Sequence, residues 1–563
     1  MSKRPNARSG GQILVDQLAI HGVDTVFSVP GESFLAVLDA LYDARERIRL
    51  ITCRMEAGAG NMAAAYGKLT GRPGICMVTR GPGATHASVG VHTAHQDSAP
   101  LILFIGQVGR DHVDREAFQE IDYRRMFGQF TKWVAQIDDP ARVPEYLNQA
   151  FHVATSGRPG PVVLAIPEDM LREVASVADA KPYRPAQAAP GAGELAELSA
   201  RLANAERPFM VVGGATWTER GAEDIVRFAE AQGIPTGAAF RCQDIFDNTH
   251  PNYAGDVGIG INPKLQQRIQ GSDLVIVAGA RLDEMTTSAY TLFSVPTPAQ
   301  PLVHIHPSPE LPGRVYQTDL TIVSGMTPFA AAARALPKAG SDRREAWVKA
   351  ARADYLEYIK PAAMPGPVDM GRIVVWLREH LPADAIITNG AGNYATWIHR
   401  FHQYRRFRTQ LAPTSGAMGF GVPAGIAGKL VHPERVVVSV SGDGCFLMCG
   451  QELATAAQYG AAVIFLVVNN GMYGTIRMHQ ERNYPARVSG TDLVNPDFVA
   501  YARAFGCHGE RIQRTEEFAA AFERARASNR PALIEIPIDP EAITPRTTLA
   551  AIRKQAEAAA AGR

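Results

Sequence analysis

The chain lacks the features typical of membrane, extracellular or nucleic-acid-binding proteins. Its six cysteines follow no Cys-x-x-Cys or zinc spacing, which favours a reduced, cytoplasmic protein over a disulfide scaffold. With 57 basic against 56 acidic residues, the net charge of +1 offers no basic surface for nucleic acid. No apolar run reaches the about 20 residues that span a bilayer, and the basic N-terminus lacks the apolar core of a secretory signal. We therefore expect a cytoplasmic protein that binds neither nucleic acid nor membranes.

Three segments in which apolar strands alternate with helical patterns account for most of the sequence. The chain has 563 residues, and 46% of them are hydrophobic, enough for several buried cores. Such alternation predicts parallel sheets covered by helices on both faces. Stretches rich in Pro, Ala and Gly at 180–193 and 360–369 separate the segments. We predict an α/β protein with three Rossmann-like parallel-sheet domains and a helical tail, over 1–180, 195–340, 365–545 and 546–563.

The first and third segments follow one plan. Arg80-Gly81-Pro82-Gly83 opens a predicted helix that leads to a strand at 100–106, and Ser441-Gly442-Asp443-Gly444 opens one that leads to a strand at 461–470. Only the second of these copies carries an Asp in the turn and an Asn pair after the strand. The two segments are therefore predicted to share a topology, and only the third is predicted to hold a metal.

The most informative pattern is Gly442-Asp443-Gly444-Cys445 followed, after one predicted helix and one buried strand, by Asn469-Asn470. This order brings the Asp443 carboxylate and the Asn470 amide oxygen to the same edge of a sheet. Both are hard oxygen ligands, suited to Mg²⁺ or Ca²⁺ that phosphate oxygens also hold. The glycines allow phosphates to approach the backbone, and the helix start directs its N–H groups toward them. Gly-Asp-Gly alone is equally typical of a plain turn; the whole pattern indicates a diphosphate and metal site.

Over nearly its whole length the sequence resembles thiamine-diphosphate-dependent enzymes, in the branch of the acetohydroxyacid (acetolactate) synthases and 2-oxo acid decarboxylases. Arg54-Met55-Glu56 resembles the family's Arg-His-Glu motif, with Met55 in place of His. The resemblance implies that Glu56 hydrogen-bonds the aminopyrimidine of the cofactor and serves in acid–base catalysis. Without the resemblance, a Glu at a helix start would be interpreted as a favourable partner of the helix dipole.

The resemblance also implies cofactor contacts in the third segment. Gly416-Ala417-Met418 resembles a turn whose Met keeps the cofactor in a V shape, although core packing is an alternative for Met418. Gly390-Ala391-Gly392-Asn393-Tyr394 resembles a loop that helps to bind the diphosphate. The implied metal ligands are Asp443, Asn470 and the carbonyl of Met472. The complete implied cofactor-binding set is Gly390, Asn393, Tyr394, Gly416, Met418, Gly442, Asp443, Gly444, Cys445, Asn470, Met472 and Gly474.

Within this family, Phe118, Gln119 and Lys132 resemble the synthase residues that line the pocket above the thiazolium ring. Two positions depart from the synthase pattern. Met285 stands where the synthases carry an Arg for the carboxylate of a second 2-oxo acid, and His479 replaces a Trp. A thioether cannot replace a guanidinium that binds a carboxylate through two hydrogen bonds. These departures favour an acceptor that lacks a carboxylate.

We therefore predict a thiamine-diphosphate and Mg²⁺ (or Ca²⁺) enzyme that cleaves or forms a C–C bond of a 2-oxo acid or 2-hydroxy ketone. A homodimer or homotetramer is expected, because in such enzymes the Glu and diphosphate sites come from different subunits. The alternatives are an acetolactate synthase proper, a 2-hydroxy ketone lyase, and a non-catalytic thiamine-binding scaffold, which the combined presence of the site residues disfavours.

The middle segment has a glycine turn at Gly213-Gly214 but His304-Ile305-His306 where synthases show acidic residues. FAD is therefore not favoured there.

Overall fold

The computed structural model describes residues 7–561, in which three six-stranded parallel sheets are flanked by helices. The predicted fold class, an α/β protein with three Rossmann-like parallel sheets, is confirmed. The basic residues 1–6 and the last two residues of the predicted tail lie outside the described residues. None of the helices described is both long and apolar enough to cross a bilayer.

The first sheet has the strand order β3-β2-β4-β5-β7-β6, and β1 pairs with β8 in a separate antiparallel ribbon. The central strands β4, β5 and β7 are buried along their whole length, as continuous apolar runs predict for parallel strands covered on both faces. The elements of this part are β1 (Arg8–Ser9), α1 (Gly10–Ile20), β2 (Thr25–Ser28), α2 (Leu35–Asp43), β3 (Arg49–Thr52), α3 (Glu56–Thr70), β4 (Gly74–Val78), α4 (Pro82–Asp97), β5 (Leu101–Gln107), α5 (Tyr123–Phe127), β6 (Trp133–Gln136), α6 (Val143–Thr155), β7 (Pro161–Pro167) and β8 (Val174–Ala175).

The second sheet has the order β11-β10-β9-β12-β13-β14. This is the strand order of dinucleotide-binding folds, in which the chain direction across the sheet reverses next to the first strand. The elements are α7 (Ala192–Asn204), β9 (Pro208–Val212), α8 (Glu219–Gln232), β10 (Thr236–Ala239), β11 (Tyr253–Val257), α9 (Pro263–Gln270), β12 (Leu274–Ala278), β13 (Leu302–His306), β14 (Leu320–Val323), α10 (Met326–Ala333) and α11 (Asp342–Tyr358).

The third sheet has the order β16-β15-β17-β18-β20-β19, which repeats the order of the first sheet strand for strand. The prediction that the first and third segments share a topology is thereby confirmed. The elements are α12 (Met370–His380), β15 (Ile386–Asn389), α13 (Ala395–Phe401), β16 (Gln410–Leu411), α14 (Gly421–Val431), β17 (Val437–Gly442), α15 (Asp443–Leu447), α16 (Leu453–Gln458), β18 (Ile464–Asn469), α17 (Gly474–Asn483), α18 (Phe498–Ala504), β19 (His508–Arg511), α19 (Phe518–Ala527), β20 (Ala532–Pro537) and α20 (Leu549–Ala561).

The connection between β17 and β18 differs from the prediction. The sequence predicted one helix, but α15 spans only five residues and is followed by a 3₁₀ turn at Gly450–Glu452 and then by α16. The backbone leaves the helical path at Cys449, with φ of −138° and ψ of 19° just before Gly450. Residues 443–448 and 449–459 fall in different compact units of the chain.

The described chain divides into two compact units. The first unit contains residues up to 186 together with two short segments of the third part of the chain, 426–431 and 449–459. The second unit contains the remaining residues and therefore both the second and the third sheets. The domain boundaries given above stay predictions.

Candidate active site

Glu56 is the first residue of α3, and its side chain is 13% exposed. His86 of α4 lies beside it, with 3.0 Å between its Nδ1 and Oε2 of Glu56. The two helices pack closely because Gly60 and Gly90 face each other: a Cβ at Gly90 would lie only 2.3 Å from the carbonyl carbon of Gly60. These glycines set the helix spacing that brings Glu56 and His86 into contact.

The turn at 80–83 lies between Glu56 and the loop that carries Phe118 and Gln119. Phe118 is 71% exposed. Gln119 has a φ of +67°, and its Cβ lies against Gly81. Gly83, two residues further on, lies within van der Waals reach of the Glu56 carboxylate. The structure therefore brings Glu56 and Gln119 to the same end of α4.

Lys132 lies elsewhere in the first sheet. It immediately precedes β6 and so stands at the amino edge of the parallel sheet, whereas Glu56 and Gln119 follow the carboxyl ends of β3 and β5. Its ammonium group donates a hydrogen bond of 2.5 Å to the carbonyl of Ser156. Burial and the nearby Arg158 lower the pKa of Lys132 to about 8. Within this chain the structure does not bring Lys132 to Glu56, and its place in the pocket stays a prediction.

Asp443 lies at the carboxyl edge of the third sheet and is almost fully buried. Its Oδ2 accepts hydrogen bonds from the backbone N–H of Gly471 at 2.9 Å and from Nδ2 of Asn495 at 2.7 Å. Asn495 also donates to Oδ1 of Asn469 at 3.0 Å. Burial raises the pKa of Asp443, while the hydrogen bonds from Asn495 and from backbone amides oppose that rise. Asp443 thus sits beside the residue that follows Asn470, as the strand order predicts.

The Cys445 thiol connects the other two predicted cofactor segments. It lies 3.2 Å from the hydroxyl of Tyr394 and accepts a hydrogen bond of 3.3 Å from the backbone N–H of Gly419. The Tyr394 hydroxyl in turn accepts a hydrogen bond of 3.1 Å from the backbone N–H of Gly390. Met418, in the turn at 416–419, is partly buried against the core of the third sheet. The loop at 390–394 and the turn at 416–419 are therefore held together around one sulfur atom.

Thr475, in the first turn of α17, joins the loop at 390–394 to the segment after Asn470. Its hydroxyl accepts a hydrogen bond from the backbone N–H of Asn393 and donates one to Oδ1 of the same residue, both of 3.0 Å. Gly474, one residue earlier, lies against the side-chain amide of Asn470. The segment at 471–473 is itself bound to the strand-like segment at 491–493 by backbone hydrogen bonds of 2.8 Å. The loop at 390–394, Cys445 and the segment at 470–475 are thus linked by direct contacts, whereas the Cβ position of Gly416 faces open space.

The groups at this edge suit a diphosphate with a divalent metal. Asp443, Asn470 and the carbonyl of Met472 offer one carboxylate and two neutral oxygens, a set that suits Mg²⁺ when phosphates supply further ligands. The buried Oδ1 of Asn389 and Oγ of Ser441, at the ends of β15 and β17, have no hydrogen-bond partner within the described residues. Buried polar atoms without partners are uncommon in folded proteins, so these two favour a polar ligand at this edge. Residues 7–561 contain no group of three or more His, Cys, Asp or Glu side chains that could hold a metal.

In the middle part, Met285 is half-buried in the loop after β12, where Asp283 forms a 3.0 Å ion pair with Arg281. His304 is buried in β13, and its Nε2 lies 2.8 Å from the carbonyl of Ala280. Burial lowers the pKa of His304 to about 4, so its imidazole is neutral at physiological pH. His479 is exposed on α17. Position 304 therefore presents a neutral imidazole, and not a carboxylate, at this edge of the second sheet.

Four residues of the site carried no sequence signal strong enough to single them out. His86 is the fifth residue of α4, a helix with two further histidines, and Asn495 and Thr475 lie in polar stretches without a motif. Glu452 accepts hydrogen bonds from the backbone just before Glu56 although it is distant in sequence. For His86 alone the sequence offers a weak signal of a place near the site, because His86 lies on the helix that follows the glycine turn at 80–83.

Three models of thiamine pyrophosphate (thiamine diphosphate) enzymes match the chain. The N-terminal TPP binding domain matches residues 8–126, the central domain residues 195–333, and the C-terminal TPP binding domain residues 390–536. Together with the repeated sheet order and the Asp443 site, these matches define a thiamine pyrophosphate enzyme built from two cofactor-binding parts and a central part.

Curated relatives match along nearly the whole chain. An acetolactate synthase large subunit from Corynebacterium glutamicum is 32% identical, covering 96% of this chain and 88% of the relative. A probable acetolactate synthase large subunit from Methanocaldococcus jannaschii is 31% identical over 95% and 93%. The acetolactate synthase isozyme 2 large subunit from Escherichia coli is 30% identical over 94% and 96%. The chain therefore belongs to the acetolactate synthase family of thiamine pyrophosphate enzymes, and the predicted thiamine-dependent enzyme of acetolactate synthase type is confirmed.

Proposed function

We propose that this enzyme decarboxylates a 2-oxo acid and transfers the remaining acyl unit to an acceptor carbonyl that carries no carboxylate. The observation that carries the proposal is the half-buried thioether of Met285, in a segment that resembles the synthase run and keeps its Gly279, Arg281 and Asp283. A carboxylate placed beside Met285 would lose its hydration without gaining a charged partner from that side chain. An aldehyde or other uncharged carbonyl compound has no such penalty.

Thiamine diphosphate would be held by the linked segments of the third sheet, with Mg²⁺ on Asp443, Asn470 and the carbonyl of Met472. When bound, the cofactor supplies the carbon nucleophile and the electron sink for loss of the carboxyl group. Cys445 and Thr475 would orient the two loops that surround it. Asn495 would hold Asp443 ionised and correctly turned toward the metal, because its amide donates to one carboxylate oxygen and leaves the other available.

Glu56 is proposed to hold and move the proton on the aminopyrimidine of the cofactor. Its largely buried carboxylate suits a hydrogen bond to a ring nitrogen. His86 contacts one oxygen of that carboxylate and is proposed to orient it. Phe118 and Gln119, on the neighbouring loop, are proposed to line the substrate side of the same pocket. Lys132 stays a proposed pocket residue, although within one chain it lies at the opposite edge of the sheet.

Acetolactate synthase activity proper is the second candidate, and the names of the relatives favour it. A lyase that cleaves 2-hydroxy ketones is the third, since it is the same chemistry in reverse.

We further propose a homodimer or homotetramer in the cytoplasm, and domains over 1–180, 195–340 and 365–545 with a tail at 546–563. A middle domain without FAD is preferred, because buried His304 supplies no acidic group.

The test is product analysis by NMR after incubation with thiamine diphosphate, Mg²⁺ and pyruvate, with and without an excess of acetaldehyde. Glu56→Gln protein, which should bind the cofactor but lose proton exchange at its C2 carbon, is the blank. Acetoin formation that rises with acetaldehyde and exceeds acetolactate formation is the expected result. Acetolactate as the dominant product in the presence of acetaldehyde would refute the proposed acceptor and establish the second candidate. If pyruvate is inert, the same design extends to larger 2-oxo acids.

A further inference from the structure

The last residues of the described chain pack on the segment that carries the proposed metal ligands. A small buried apolar cluster joins them, made of Ile543, Leu549 and Ile552 with Met472 and Met478 packed against it. Met472 is itself a proposed metal ligand through its carbonyl, and Met478 lies on α17, the helix that follows. The C-terminal helix α20 thus shares a core with the metal-binding loop.

A buried ion pair joins the same two helices. Glu481 of α17 has a side-chain exposure of 0%. Both of its oxygens accept hydrogen bonds from Arg553 of α20, at 2.7 and 2.6 Å, and Arg477 forms a further ion pair with it. The backbone N–H of Ala486 donates to Glu481 at 3.0 Å. Removing one partner from such a carboxylate is strongly destabilising because its remaining charge stays buried.

Gly474 lies between Ile543 of the apolar cluster and the proposed ligand Asn470. A Cβ at Gly474 would lie 2.9 Å from Cδ1 of Ile543 and 3.0 Å from Nδ2 of Asn470. The backbone at Gly474 is therefore confined between Ile543 on one side and the proposed metal ligand Asn470 on the other. Because Ile543 shares the apolar cluster with Leu549 and Ile552 of α20, a movement of α20 would change the space available to Asn470.

We infer that α20 is a positioning element of the metal site: Arg553, acting through Glu481, and the apolar cluster hold the segment at 470–474 in its metal-binding shape. The inference rests on the proposed metal and diphosphate site. Arg553 is a positioning residue rather than a catalytic one, because it acts on that segment through Glu481. Cofactor affinity should therefore depend on a charge outside the site.

The test uses full-length Arg553→Met protein, with Lys554→Met as the matched control that removes an exposed cation from the next position of α20. Isothermal titration calorimetry gives the thiamine diphosphate Kd as a function of Mg²⁺ concentration. Hydrogen–deuterium exchange of the ligand-free protein reports on residues 470–484 and on α20. Arg553→Lys, which keeps the charge, tests rescue. Circular dichroism establishes that each variant is folded.

We expect Arg553→Met to raise the Kd by about tenfold or more and to accelerate exchange in residues 470–484, with Lys554→Met like the wild type. Arg553→Lys should recover a large part of both losses. Equal Kd values in Arg553→Met and wild type would overturn the inference while leaving the proposed function standing. If Arg553→Met does not fold, a wild-type-like Kd in Ile552→Ala protein would overturn it instead. Absence of Mg²⁺-dependent binding in the wild type would overturn the proposed function and this inference with it.

Discussion

The carboxylate of Glu452 accepts a hydrogen bond of 3.0 Å from the backbone N–H of Met55, the residue that precedes Glu56. The same oxygen accepts a second one of 3.0 Å from the N–H of Arg54, and the other oxygen accepts the hydroxyl of Thr455 at 2.5 Å. Glu452 thus satisfies the N–H groups of the two residues that immediately precede α3. Burial raises the pKa of Glu452, and these hydrogen bonds oppose the rise. Glu452 thereby fixes the backbone from which Glu56 projects.

Glu452→Ala is expected to slow proton exchange at the cofactor C2 carbon by about tenfold or more, while Glu452→Gln stays close to wild type. Alanine leaves the partly buried N–H groups of Arg54 and Met55 without their protein acceptor, which loosens the backbone from which Glu56 projects. Glutamine keeps one acceptor oxygen for both. NMR-detected deuterium exchange in the presence of thiamine diphosphate and Mg²⁺ measures the rate. Equal rates in the Ala and Gln variants would show that Glu452 does not position Glu56.

Cys445→Ala is expected to weaken thiamine diphosphate binding by about fivefold to thirtyfold, which corresponds to about 1–2 kcal/mol. The substitution removes the atom that joins the Tyr394 hydroxyl to the N–H of Gly419 and leaves both groups buried with fewer partners. Cys445→Ser provides the matched control, because its hydroxyl offers an acceptor and a donor at the same place. Isothermal titration calorimetry measures the Kd of thiamine diphosphate for each variant. An Ala variant that binds as tightly as the Ser variant would contradict the proposed link.

Met285→Arg is expected to shift product formation from an uncharged acceptor toward a 2-oxo acid acceptor. A guanidinium at this position would offer charge-assisted hydrogen bonds to a carboxylate, worth about 1.5–3 kcal/mol. Within the loop at 281–287, Asp283 accepts a 3.0 Å hydrogen bond from the N–H of Thr286 that does not involve the Met285 side chain, so the substitution should leave this backbone contact in place. Competition between acetaldehyde and pyruvate as acceptors measures the shift. Met285→Leu keeps the apolar character and should leave the ratio of the two products unchanged. The same product ratio in Met285→Arg and Met285→Leu would show that residue 285 does not determine which acceptor is used.

Much of the fold was predictable because parallel strands impose a regular order on the chain. The pattern around Asp443 and Asn470 needed only one buried strand between the two residues, since carboxyl ends of neighbouring parallel strands share an edge. The contact between Glu452 and Met55 was not predictable, because a long-range hydrogen bond leaves no periodic trace in either segment. Similarly, the break of the helix after α15 depends on the backbone at Cys449, which no turn residue announces before Gly450. Motifs therefore indicate the proposed ligands, whereas packing decides which other residues contact them.

Glu481 is expected to stabilise the contact between α17 and α20 above about pH 4.5 and to lose this effect as the pH falls toward 2. Hydrogen bonds from Arg553 lower its pKa from the ordinary value of 4.5 to about 2. A carboxylate with a lowered pKa in the folded state stabilises that state fully above its unfolded pKa, and each pH unit below about 4.5 removes about 1.4 kcal/mol, or a factor of about ten. Hydrogen–deuterium exchange of α20 in wild type and Glu481→Gln, compared at the same pH, should differ most at pH 6 and less at pH 3.5. Glu557→Gln, an exposed change on α20, controls for general charge effects. A difference between wild type and Glu481→Gln that is constant between these two pH values would rule out the ionised Glu481 as the group that secures the tail.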